Sequence, residues 1–100
     1  MWLVDFDQSK CAYNYCLGVK DEPEARKLIV SSYYLYLYCK NIKDRKEMWK
    51  NITEDRYIYS YCLNVKDRKE LWSRITDSNI SKLYCTTILD RPEVRKYIKE

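Results

Sequence analysis

The sequence contains no histidine and a single glycine, Gly18. The first absence removes the commonest general base and metal ligand. The second excludes a glycine-rich phosphate loop. No apolar run nears the ~20 residues that a bilayer span requires. At the N-terminus, Met1-Trp2-Leu3-Val4 meets Asp5 too soon for a signal peptide. Neither a membrane anchor nor export is therefore expected, and a reducing cytoplasm is the expected location. With 46% hydrophobic and 34% charged residues, the chain reads as globular rather than disordered. What it has in surplus is tyrosine (11), cysteine (5) and tryptophan (3).

The cysteines reveal a repeat. Cys16, Cys39, Cys62 and Cys85 are spaced by 23 residues, each preceded by tyrosine (Tyr15, Tyr38, Tyr61, Tyr84). That period divides the chain into repeats 7–29, 30–52, 53–75 and 76–98, with 1–6 as an N-terminal partial repeat, all within one domain over 1–100. Repeats of this length are stacked units that cannot bury their apolar side alone. Positions within a repeat are numbered 1 to 23 below.

Two helices per repeat are expected. Positions 6, 9, 10 and 13, as in Leu35, Tyr38, Cys39 and Ile42, follow the i, i+3, i+4, i+7 rule. Ser9, Ser32, Asp55 and Ser78 at position 3 are the expected N-caps of this first helix. Asp21, Asp44, Asp67 and Asp90, each followed three residues later by glutamate, resemble a capping box that opens a second helix at position 16, ending near position 23. Pro23 and Pro92 lie at its second residue, where a missing N–H is harmless. The expected fold is all-α: four tandem helix–turn–helix repeats stacked as a short α-solenoid. A leucine-rich repeat has a similar period, and Tyr34 to Tyr38 would suit a strand. However, Lys10, Arg56 and Asn79 occupy an apolar position that such a repeat requires.

The side chains suggest binding rather than chemistry. Same-column cysteines should sit at the helix-packing distance of about 8–10 Å, too far for a disulfide. No CxxC spacing or histidine completes a zinc site. All five cysteines are thus expected to be free thiols, with no metal and no cofactor. No paired carboxylate constellation is evident, so no catalytic residue is assigned and no enzyme activity is expected. Trp49 and Trp72 at position 20, where the outer repeats carry Arg26 and Arg95, are read either as packing between the central repeats or as the centre of a binding face. Tyr13, Tyr36 and Tyr59 at position 7 either wedge between repeats or form an exposed ladder. Lys43, Arg45, Lys46, Lys66, Arg68 and Lys69 gather at the interhelix turns as a basic ribbon.

The run from Tyr59 to Glu70, of the form Tyr-x-Tyr-Cys-x-x-Val-x-Asp-Arg-x-Glu, resembles short tandem repeats of small tailed-bacteriophage and other viral proteins. In those repeats alanine often replaces the cysteine, and glycine stands at the place of Asp67. The likeness is degenerate in repeat one (Gly18, Glu22) and in repeat four (Lys82, Thr87). It implies a viral accessory protein acting on a host protein, as an inhibitor or modulator of a defence factor or enzyme. The alternatives are nucleic-acid binding through the basic ribbon and self-assembly, for instance as a homodimer.

Overall fold

The computed structural model describes residues 5–99. Among these the chain is all-helical, with eight helices and no strand. Four long helices alternate with four short ones: α1 (Asp5–Gly18), α2 (Pro23–Arg26), α3 (Ser32–Asn41), α4 (Lys46–Trp49), α5 (Asp55–Asn64), α6 (Lys69–Trp72), α7 (Ser78–Thr87) and α8 (Pro92–Arg95). Tyr34 to Tyr38 lie inside α3, which excludes the strand reading. The expected partial repeat over 1–6 falls outside the described residues, except that α1 already begins at Asp5. No described helix is long and apolar enough to cross a membrane.

The chain divides after Ile52 into two compact units. In the N-terminal unit α1 packs on α3, and α2 and α4 fold back on the long helix preceding each. The C-terminal unit repeats the scheme, with α5 on α7, α6 on α5 and α8 on α7. Each core takes the same positions. Leu35 and Ile58 (position 6), Tyr38, Tyr61 and Tyr84 (position 9), Leu71 and Val94 (position 19) and Ile52 and Ile75 (position 23) are sealed from solvent. Position 13 does not join them as expected: Val19 is 73% exposed, and Ile42, Val65 and Ile88 are half-buried. Those residues lie at or just past the helix C-terminus, where the chain turns away from the core.

The helix ends depart from the capping reading in two ways. Position 3 is the first helical residue of α3, α5 and α7, and α1 starts earlier still, so Ser9, Ser32, Asp55 and Ser78 are not N-caps. The caps of α3, α5 and α7 are Ser31, Glu54 and Asp77, and of these Asp77 accepts a side-chain bond, from the Ile80 N–H. Position 3 instead fastens the chain 21 and 22 residues ahead. Ser9 Oγ accepts the N–H groups of Val30 (2.9 Å) and Ser31 (3.0 Å). Asp55 Oδ2 accepts those of Thr76 (3.0 Å) and Asp77 (2.8 Å). Ser78 Oγ accepts that of Lys99 (2.7 Å). These donors lie between helices, where a buried N–H without a partner would cost about 1–3 kcal/mol.

The short helices also start one residue late, at position 17, and their caps Glu22, Arg45, Arg68 and Arg91 make no side-chain capping bond. They last four residues and tighten into i→i+3 bonds, such as Ile52 N–H to the Trp49 carbonyl and Ile75 N–H to the Trp72 carbonyl. Two of the aspartates before them, Asp21 and Asp67, are occupied elsewhere.

Candidate functional site

The most ordered polar feature of each unit is a cluster of aspartate, tyrosine and arginine. In the C-terminal unit the Tyr84 hydroxyl donates to Asp67 Oδ1 at 2.6 Å, Arg91 Nη2 donates to Asp67 Oδ2 at 2.9 Å, and Arg91 Nε donates to the Tyr84 oxygen at 2.7 Å. In the N-terminal unit Tyr38 donates to both oxygens of Asp21 at 2.8 Å. Arg45 Nε donates to the Tyr38 oxygen at 2.8 Å and Arg45 Nη2 to Asp21 at 3.4 Å. Arg26 Nη1 adds a further bond to Asp21 at 3.1 Å. Asp21 and Asp67 at position 15 therefore join the tyrosine 17 residues ahead and the arginine 24 residues ahead. They do not cap their own short helices.

The electrostatics make these clusters joints, not acid–base pairs. Burial alone would raise the Asp21 carboxyl, but bonds from Tyr38, Arg26 and Arg45 outweigh it and hold it below the usual range. Burial, together with donation to Asp21, pushes the Tyr38 hydroxyl up to about 12. Burial and donation to Asp67 likewise raise Tyr84. The Asp21 carboxylate stays ionised and the Tyr38 and Tyr84 phenols keep their protons, so none of these three shuttles a proton near neutrality.

The expected binding residues are distributed differently from their sequence grouping. Arg45 is committed to its joint, and Arg68 Nε donates to the Tyr61 hydroxyl at 2.7 Å, so both arginines leave the basic ribbon. A planar guanidinium spans a carboxylate and a phenol together, which lysine cannot do. Lys43, Lys46, Lys66 and Lys69 remain solvent-exposed.

Trp49 and Trp72 are each only 4% exposed, which corrects their reading as a binding face. Trp72 lies under the joint: the Arg91 guanidinium sits 4.6 Å from its ring, and the Tyr84 ring is 6.5 Å away. The indole thereby covers one side of the ion pair, which stays about a quarter exposed. Tyr13 and Tyr36 are also buried, and Tyr59 is half-buried, so position 7 forms a wedge and not an exposed ladder. Asn41 Nδ2 donates to the Tyr13 hydroxyl at 2.9 Å. Tyr59 meets Thr87 Oγ1 at 2.9 Å, and as Thr87 donates to the Leu83 carbonyl, Tyr59 is the donor.

The thiols are free: Cys16, Cys39 and Cys62 are buried, Cys85 is half-buried and Cys11 is exposed. Burial pushes Cys62 up to about 12, which makes it a poor nucleophile. Among the described residues no group of cysteines and carboxylates could hold a metal ion.

No known protein family, curated protein or solved structure matches this chain. Its own surface is therefore the guide. Leu17, Val19, Leu63, Leu83 and Leu89 are 45% to 73% exposed. Leu17, Leu63 and Leu83 lie in the C-terminal halves of α1, α5 and α7, Val19 and Leu89 lie just past α1 and α7, and exposed Lys20, Lys43 and Lys66 follow α1, α3 and α5. The sequence columns do not single these residues out. Leucine stands outside the core stripe at position 8 in Leu37 and Leu83 and at position 11 in Leu17 and Leu63, in two of the four repeats each.

Proposed function

We propose that the chain is a four-repeat α-solenoid that binds a protein partner through the leucine and lysine edge at the ends of its long helices, and that it performs no catalysis. The observation carrying this reading is the exposure of Leu63, Leu83 and Leu89, at 47%, 45% and 51%, on one unit that also exposes Lys66. Leucines left in water among flexible cations suit a partner with an apolar patch rimmed by carboxylates. The resemblance to viral repeats supports a host protein as the target, with inhibition or modulation in the host cytoplasm as the outcome.

Nucleic-acid binding through Lys43, Lys46, Lys66 and Lys69 is the second reading, favoured by the solvent exposure of all four. Commitment of Arg45 and Arg68 to tyrosines weakens it. The discriminating experiment is affinity capture from host cells with and without nuclease, using the wild type and a Leu63→Glu variant. The first reading expects a protein retained after nuclease and lost with Leu63→Glu. A partner released by nuclease and indifferent to Leu63→Glu would replace it with the second.

A further inference from the structure

Two surfaces of the molecule carry the separate halves of the joint described above. In the N-terminal unit, Ala12, Tyr15, Glu22, Glu24, Ala25 and Leu28 line an open groove of about 580 Å³. They hold the same repeat positions as Leu35, Tyr38, Arg45, Glu47, Met48 and Asn51, the side of α3 and α4 that carries the donors to Asp21. Tyr15 is 38% exposed, whereas Tyr38, Tyr61 and Tyr84 in its column are wholly buried.

In the C-terminal unit, Lys82, Cys85, Asp90, Arg95, Ile98 and Lys99 line a second groove of about 440 Å³. The first five match Tyr13, Cys16, Asp21, Arg26 and Ile29, the side of α1 and α2 where Asp21 receives Tyr38. Arg95 already donates to Asp90 at 3.1 Å, as Arg26 does to Asp21 at 3.1 Å. Asp90 is nevertheless exposed, and its carboxylate faces solvent instead of a tyrosine.

The charges are complementary. Glu22 and Glu24 line the first groove, and in the second Lys82, Arg95 and Lys99 outnumber Asp90. The observed joint supplies the precedent, because Arg26 there lies 3.7 Å from Glu47, the counterpart of Glu24. Arginine at position 20 is found only in Arg26 and Arg95, and tryptophan replaces it at Trp49 and Trp72.

We propose that the chain self-associates head to tail, the Tyr15 groove of one copy receiving the Asp90 groove of a second. Tyr15, whose hydroxyl bonds Glu22 within its own copy, then turns to Asp90 of the second copy, and Arg95 of that copy faces Glu22 and Glu24. Glu22 stands where the observed joint has Arg45, so an anion replaces a cation beside Asp90 and the contact is weaker than the joints within a unit. One repeat's width is a small interface, so the association is weak and depends on concentration. The contact is heterologous, using different surfaces on the two copies, so association continues beyond a dimer.

Sedimentation velocity from roughly 10 μM to 1 mM tests this. The wild type should show an average mass that climbs past the dimer. Leu28→Glu, which blocks the first groove, and Arg95→Glu, which blocks the second, should each stay monomeric. Both residues are exposed, and circular dichroism confirms the fold; Glu24→Lys replaces Leu28→Glu should that variant lose helix. An equimolar mixture of the two should form a dimer and nothing larger, since one intact groove of each kind remains. A wild type that is monomeric at 1 mM overturns the proposal. So does a dimer that survives in both variants, or a mixture that stays monomeric.

Discussion

The hydroxyl of Tyr84 donates to Oδ1 of Asp67 across 2.6 Å, although the two residues are 17 apart in the chain and lie outside each other's helices. The bond fixes α7 onto the turn between α5 and α6. Arg91 closes the triangle by donating to the Tyr84 oxygen and to Oδ2 of Asp67, and Trp72 packs against it. A half-buried carboxylate with two strong donors is an anchor that tolerates no loss of a partner.

Removal of either partner should therefore be costly. Tyr84→Phe is expected to lower stability by about 1–3 kcal/mol, since it leaves an Asp67 oxygen underpaired. Asp67→Ala should cost at least as much. Asp90→Ala removes only an exposed pair with Arg95 and should stay within about 1 kcal/mol of wild type. Urea denaturation checks the contrast. Equal losses at Asp67 and Asp90 would restore the helix-cap account, in which every aspartate of the column does the same work.

Trp72→Arg copies the residue found at Arg26 and Arg95, yet it should destabilise severely. Truncation of a buried tryptophan costs about 3–5 kcal/mol. A new arginine there would also lie against the Arg91 guanidinium, which now sits 4.6 Å from the indole. Thermal melting of Trp72→Arg beside Trp72→Phe decides the matter. A variant that melts like wild type would show the site to be open to water.

Stability should fall at both pH extremes, for opposite reasons. The Tyr38 hydroxyl rises from 10.0 to about 12 on folding, so its contribution is complete below about pH 10 and is lost as pH rises through about 12. Asp21 is held below 3.8, so its contribution is present above that value and lost as pH falls through the folded one. Melting temperature against pH reads both limbs. Tyr38→Phe should lower the plateau and flatten the alkaline limb, and an unchanged limb would remove Tyr38 as its cause.

Ser81 offers a stabilising change. It occupies the column of Leu35 and Ile58, is wholly buried, and its hydroxyl has no hydrogen-bond partner. Ser81→Ala should gain about 1 kcal/mol by removing an unsatisfied buried polar atom. Chemical denaturation measures it. A loss of stability would show that a water satisfies the hydroxyl.

Thiol labelling should resolve the cysteines by burial. Cys11 is expected to react at once, Cys85 next, and Cys16, Cys39 and Cys62 only as the protein opens. Five thiols counted after denaturation would complete the result, and a mass lower by two hydrogens in unreduced protein would contradict it.

The amino-acid sequence by itself determined the period, the helical class and most of the core. Columns such as Leu35 with Ile58, or Ile52 with Ile75, are buried because apolar spacing at 3.6 residues per turn leaves one face to hide. Helix existence follows from such local regularity. The roles of the polar residues were decided only in the tertiary structure. An aspartate ahead of a helix start satisfies the capping pattern, and the same aspartate equally suits a phenol and a guanidinium brought from 17 and 24 residues away. For Asp67 the distant pair prevails, because Tyr84 arrives buried and Arg91 half-buried and both need a carboxylate, whereas a helix N-terminus facing solvent is satisfied by water. The same reason moved Trp72 from binding face to core: it is the neighbour, Arg91, that gives the indole something to cover.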